Sequence, residues 1–153
     1  FPTEQKNEIG EKLGLLGNEF GTVTGRKRRC GWLDAVLLKQ SVNIAGIDGI
    51  ALTKLDVLDS FSNIKVCTSY EYKGRTYDHL PITFKNDEKI HKNYLEFQGW
   101  NQETRGCRSY SDLPENAKKY ISSLERIIGV PITMLSTSPE REDTILFNNP
   151  FKK

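Results

Sequence analysis

Two glycines, two threonines and then four cations fill the stretch Gly21-Thr-Val-Thr-Gly-Arg-Lys-Arg-Arg29. Glycine lets a backbone come close to a ligand, and a threonine hydroxyl can donate or accept a hydrogen bond beside it. Arginine forks match the paired oxygens of carboxylate and phosphate groups. Cys30-Gly-Trp-Leu-Asp34 then opens an apolar helical pattern. The order predicts a loop holding a small, multiply anionic ligand at the start of a helix, where the dipole also favours anions. A basic run has plainer readings, a solvated face or a nucleic-acid patch. The glycine-threonine lead-in is what a plain charged face does not need.

A second candidate is Thr53-Lys54-Leu55-Asp56, which follows a short apolar run at residues 50–53. A guanine edge presents an N1–H and an amino group side by side, and one carboxylate accepts both. Adenine has an acceptor at N1 and is repelled. The lysine stem can cover the base plane while its charge stays near polar groups. The plain alternative is a strand end with Asp56 as a helix cap. Ser136-Thr137-Ser138 leaves another strand candidate and could close over a base with backbone groups. Its plain alternative is a turn started by Ser138-Pro139.

The elements that must position these residues alternate along the chain. Ile9, Leu13 and Leu16 predict a helix within residues 3–17, stopped by Gly17. Residues 32–45 read as a largely buried helix, and residues 57–61 as a brief helical segment. Residues 65–72 alternate as a strand, with Lys73-Gly74 as the turn into a return arm at residues 75–82. Residues 86–92 read as loop or short helix and residues 94–97 as a strand. Ser111-Asp-Leu-Pro114 opens a helix whose stripe is Ala117, Tyr120, Ile121, Leu124, Ile127 and Ile128. Gly129 and Pro131 end it, and strands follow at residues 132–135 and 144–147. Helices alternating with short strands predict an α/β fold, in which ligands sit beyond the carboxyl ends of the strands.

The totals set bounds on function. A chain of 153 residues is one domain's worth, with 37% hydrophobic and 27% charged residues, as in soluble globular proteins. The net charge is only +2, which argues against general nucleic-acid affinity. Cys30, Cys67 and Cys107 lie far apart, and neither His79 nor His91 completes a metal-ligand spacing. Free thiols in a reducing compartment are the economical reading. No apolar run reaches membrane-spanning length and no secretory signal opens the chain, so a cytoplasmic, soluble protein is expected. Phe1 stands where an initiator methionine would, and Met134 is the single methionine, so the chain reads as a processed product or an excised piece.

Taken together these blocks form a pattern. The loop with Arg-x-Gly-Trp-Leu-Asp34 behind it, Leu-Thr-Lys-Leu-Asp-Val-Leu-Asp59, Gly-Val-Pro-Ile132 followed by Ser-Thr-Ser-Pro139, and a closing Asn-Pro-Phe151 strongly resemble the adenylosuccinate synthetase family. The resemblance runs over essentially the whole chain and corresponds to about the C-terminal third of that enzyme. It implies that residues 1–153 are one domain segment, the C-terminal part of a large mixed, mostly parallel sheet flanked by helices, of P-loop NTPase-like type. It also implies a homodimer and a GTP-dependent ligase of AMP synthesis that joins IMP to L-aspartate with magnesium. GTP phosphorylates the hypoxanthine oxygen, and the aspartate amine displaces that phosphate. Thr22, Val23, Thr24, Gly25, Arg26, Lys27 and Arg28 match the loop that closes on aspartate. Arg26 also matches a contact to IMP, and Arg28 one to GTP. Lys54, Leu55 and Asp56 match the guanine readers, and Ser136, Thr137 and Ser138 the loop against the base. Ser138 stands where many members have glycine, and Lys27 where the run has arginine. The family's phosphate loop, catalytic aspartate, catalytic histidine and magnesium ligands lie in the N-terminal part, so no catalytic or metal residue is expected here. The alternative from another class is a non-enzymatic RNA-binding module using residues 26–29.

Overall fold

The first helix, α1 (Glu8–Leu16), starts later than its apolar spacing suggests because Asn7 caps it. The Asn7 carboxamide oxygen accepts from the N–H groups of Ile9 (3.1 Å) and Gly10 (3.4 Å), which fixes the first turn there. Before it, Glu4 bridges to Gly31 and the Gln5 N–H donates to Cys30 O at 2.9 Å. The computed structural model describes residues 1–81, 84 and 90–147. Their contacts divide into two compact units, Phe1–Gln40 with Lys65–Glu96, and Ser41–Ile64 with Phe97–Lys153.

In the first unit, residues 33–34 form a short strand rather than the opening of a helix. β1 (Leu33–Asp34) pairs in parallel with β3 (Asn63–Tyr72), Leu33 opposite Val66 and Asp34 opposite Cys67. Helix α2 (Ala35–Ala45) follows, its start held by the Leu37 N–H donating to Asp34 Oδ1 at 3.2 Å. The expected largely buried helix is only partly so. Ala35, Val36 and Val42 are buried while Ile44 is 78% exposed. Lys73 (φ 50°) and Gly74 (φ 72°) both adopt the left-handed conformation, the backbone a two-residue hairpin demands. They turn β3 into the antiparallel β4 (Arg75–Tyr77). The expected arm reached residue 82, which lies outside the described residues, as do residues 86–89. Residues 91–92 are strand rather than loop, because β5 (His91–Gln98) begins at His91 and pairs with β3. Val36, Cys67, Tyr70, Tyr72 and Ile90 form the core of this unit.

The second unit is built on a three-stranded sheet. β2 (Ile50–Leu52) lies parallel to β6 (Ile132–Ser136), which pairs antiparallel with β7 (Thr144–Leu146). Between β2 and β3 stands a 3-10 turn, Leu55–Leu58. Helix α3 (Glu115–Ile128) buries Ala117, Tyr120, Ile121, Leu124 and Ile128, five positions of the stripe read from its spacing, while Ile127 is only half-buried, and Gly129 (φ 88°) closes it in the left-handed conformation. The expected capping Ser111 lies instead in a separate 3-10 turn, Tyr110–Asp112, capped by Ser109, and Pro114 precedes α3. The described strands thus make two small mixed sheets accompanied by three α-helices, a mixed α/β fold.

Gly99 marks a close backbone approach. Its N–H donates to Ser62 O at 2.7 Å, and a Cβ placed on it would lie 1.7 Å from Phe61 O. That neighbour is main chain and cannot rotate away. Gly99→Ala is therefore expected to destabilise the protein by at least about 3 kcal/mol, read as a fall in denaturation midpoint. A midpoint within error of the wild type would show that this approach is looser than described.

Candidate functional site

The cationic loop lies in the first unit and is a tight hairpin. Phe20 and Lys27 form an isolated antiparallel bridge, the Gly21 N–H donates to Arg26 O (2.8 Å), and the Gly25 N–H donates to Gly21 O (2.8 Å). Gly25 holds φ 63°, the one place in the loop where a side chain would be strained. Thr24 Oγ1 accepts from the Arg26 N–H at 3.4 Å, so this hydroxyl helps shape the turn. Residues 22–29 are all exposed, and Val23 at the tip is 96% exposed.

The four cations are not equivalent. Arg28 Nη1 lies 3.1 Å from Glu19 Oε2, and Arg29 Nη1 lies 3.6 Å from Glu4 Oε2. Arg29 also lies over the Phe1 ring, 5.9 Å from its centroid. The side chains of Arg26 and Lys27 have no ion-pair partner among the described residues. A depression of about 450 Å³ opens beside the hairpin, lined by Phe1, Thr24, Arg26 and Arg28 among others. An anion entering it meets the Arg26 guanidinium and the Lys27 ammonium, which among the described residues no carboxylate has already neutralised.

Behind the hairpin, Asp34 Oδ2 accepts from the Tyr70 hydroxyl at 2.6 Å. Burial, with the Asp34 charge adding to it, pushes the Cys67 thiol up to about 12. Cys67 is thus an unreactive core residue. Cys30 and Cys107 are also free thiols, each half-buried. His79 and His91 are exposed, and His79 pairs with Asp78 at 3.0 Å.

In the second unit the parallel strands β2 and β6 bring two predicted stretches together. The Lys54 N–H donates to Ser136 Oγ at 3.0 Å, although the residues are 82 apart in sequence. Lys54 takes φ 60°, ψ 44°, a left-handed turn that sharply ends the strand and starts the 3-10 turn. Leu55, directly between the two polar residues, is 1% exposed and anchors that turn in the core. Asp56 follows with its Oδ1 buried and without a hydrogen-bond partner. Burial, then the Asp59 charge, raises the Asp56 carboxyl above the ordinary carboxylate range, against a smaller pull from backbone N–H groups and Arg105.

Two carboxylates to which sequence reasoning gave no role, Asp59 and Asp143, hold this site. Asp59 Oδ1 accepts from Trp100 Nε1 and Thr104 Oγ1, and Asp59 Oδ2 from the Thr104 N–H, each at 2.7 Å. Its signal was the three-residue spacing from Asp56, one helical turn. Asp143 Oδ2 accepts from Ser138 Oγ at 2.7 Å and Asp143 Oδ1 from Arg108 Nε at 2.9 Å. Those two bonds hold the Asp143 carboxyl below its usual range. Ser138 Oγ also accepts from the Glu140 N–H at 2.9 Å, and the Thr137 hydroxyl donates to Cys107 O at 2.8 Å. Thr137 and Ser138 are buried, so their side chains brace the loop from within. No pattern in the sequence links residue 138 to 143 or to 108.

Among the described residues, no group of three or more His, Cys, Asp or Glu side chains could hold a metal, and no helix is long and apolar enough to cross a membrane. A carboxylate with one buried oxygen lacking a partner among the described residues, at a strand exit, and an exposed arginine hairpin equip a mixed α/β protein to bind a ligand with paired donors and another with anionic groups. The family model of adenylosuccinate synthetase matches residues 1–145. A solved, fully ligated adenylosuccinate synthetase from Plasmodium falciparum is 37% identical, with a TM-score of 0.90 over 97% of this chain. The chain spans 36% of that protein's length. This chain belongs to the adenylosuccinate synthetase family. Neither comparison lends support to an RNA-binding module.

The raised Asp56 carboxyl has a consequence for stability. An acid whose folded-state value lies above its unfolded one favours folding while protonated, and this contribution is lost as pH rises from the unfolded value through the folded one. At pH 7 the ionised Asp56 therefore works against folding in the free protein. Asp56→Asn is expected to raise the melting temperature slightly at pH 7, with the gain shrinking toward pH 4. A gain equal at both pH values, or a loss at pH 7, would contradict the buried, unpaired carboxylate.

Proposed function

We propose that this chain supplies the aspartate- and guanine-binding residues of a GTP-dependent adenylosuccinate synthase, which joins IMP and L-aspartate into adenylosuccinate with release of GDP and phosphate. The observation that carries this reading is the buried Oδ1 of Asp56, left without a partner at the exit of a parallel strand. An unpaired buried carboxylate oxygen is costly and is relieved by a ligand that brings donors to it. Guanine brings two. Lys54 and Leu55 complete that reading strip, and Ser136, Thr137 and Ser138 form the neighbouring loop, held to Lys54 through the Ser136 hydroxyl.

The hairpin takes the other ligands. Thr22, Val23, Thr24, Gly25, Arg26, Lys27 and Arg28 are assigned to aspartate, Arg26 also to IMP and Arg28 to GTP. L-aspartate carries two carboxylates, and the unpaired side chains of Arg26 and Lys27 offer them forks and charge. Holding both carboxylates orients the amine for attack, which lowers the entropic part of the barrier. Cations near the departing phosphate offset the charge that develops on it.

The catalytic acid and base and the magnesium ligands are placed outside this chain, so the chain alone has no ligase activity. Magnesium, when bound, would neutralise GTP phosphate charge. In the longer enzyme we assign the chain to the C-terminal part of a large mixed, mostly parallel sheet flanked by helices, of P-loop NTPase-like type, in a cytoplasmic homodimer.

Steady-state kinetics of the full-length enzyme test both halves. Asp56→Asn is expected to raise the GTP KM by about 10- to 100-fold, the loss of charge-assisted hydrogen bonds, with the IMP KM little changed. Unaltered GTP kinetics would remove the guanine assignment. Arg26→Leu is expected to raise the aspartate and IMP KM values together, each by about tenfold or more. Normal aspartate saturation in that variant would take the hairpin out of the site.

A further inference from the structure

Glu19 lies at the foot of the cationic hairpin, just before the Gly21–Arg29 motif, and holds Arg28 twice. Its carbonyl oxygen accepts from the Arg28 N–H at 2.9 Å, and its Oε2 accepts from Arg28 Nη1 at 3.1 Å. The Glu19 side chain is 25% exposed against 57% for Arg28, so the carboxylate is the fixed partner and the guanidinium the presented one. Only Nη1 is taken. Among the described residues, Arg28 Nε and Nη2 have no partner, leaving that edge of the fork open. Arg28 also lines, with Arg26, the depression beside the hairpin.

The hairpin does not need this carboxylate for its shape. The Phe20–Lys27 bridge and the Gly21 and Arg28 backbone bonds close it without side-chain help. An ion pair this exposed adds little to stability. What it changes is the conformational freedom of one guanidinium, and a fork fixed before binding loses less freedom when it binds.

We infer that Glu19 is a positioning residue for GTP, holding the Arg28 guanidinium by Nη1 so that its Nε–Nη2 edge faces the nucleotide's phosphate oxygens. This rests on the assignment of Arg28 to GTP proposed above. Glu19 touches no ligand itself and acts through Arg28.

Kinetics of the full-length enzyme test the inference. Glu19→Ala is expected to raise the GTP KM about tenfold, equivalent to about 1.4 kcal/mol, while kcat and the IMP KM stay within about twofold. Glu19→Gln still offers an oxygen to Nη1 and is expected to bring the GTP KM back to within about threefold of the wild type. In an Arg28→Leu background, Glu19→Ala is expected to add nothing. A rise in IMP KM as large as that for GTP would mean a hairpin-wide structural effect and would overturn the inference. So would an unchanged GTP KM in Glu19→Ala when Arg28→Leu raises it. If Arg28→Leu itself leaves the GTP KM unaltered, the assignment of Arg28 has failed and the inference goes with it.

Discussion

The parallel pairing of β2 with β6 is the constraint on which the second unit depends. Parallel neighbours end on the same side of a sheet, so the chain leaving Leu52 and the chain leaving Leu135 must emerge together. Residues 54–56 and 136–138 become neighbours for that reason, and the Lys54–Ser136 hydrogen bond records it. The abrupt left-handed turn at Lys54 then drops Leu55 into the core and leaves Asp56 just behind it. A carboxylate oxygen held there without a donor is a cost the fold tolerates. The packing of Leu55 and the Asp59 network hold the turn in place despite it.

The hairpin of the first unit is held by different means. It has no buried side chain between residues 22 and 29, and its order comes from backbone hydrogen bonds, while two surface ion pairs fix the Arg28 and Arg29 side chains. Such a segment has little packing to lose if it moves, as segments that fold over ligands require. Val23, almost wholly exposed at the tip, has no packing to hold it in place. The basic run therefore divides its work. Two cations are tied to carboxylates at the foot, and two are presented.

Ser138 shows how a departure from a family pattern can be absorbed. A glycine there would contribute only backbone, whereas the serine hydroxyl donates to Asp143 and accepts from the Glu140 N–H. The loop gains an internal brace while its side chain stays buried. Lys27, the other departure, remains exposed and has no ion-pair partner among the described residues, and nothing in the structure explains the exchange.

Residue type and spacing by themselves determined the family, the strong α3 stripe, the Lys73-Gly74 hairpin and the identity of the chemically unusual loops. Each of these is local, so a handful of neighbouring residues carries the whole signal. The start of α1 was misplaced because the Asn7 cap outweighed the apolar period. Residues 33–34 became strand because β3, some thirty positions later, offered backbone partners that helical spacing cannot reveal. Only the tertiary structure decided that Asp56 would keep an unpaired oxygen, that Asp59 and Asp143 would hold the site, and that Glu19 and Glu4 would claim half of the cationic run. Burial and hydrogen-bond satisfaction are properties of a folded neighbourhood. They arise when segments far apart in sequence exclude water from one another, and a linear pattern does not encode which donors will be present there.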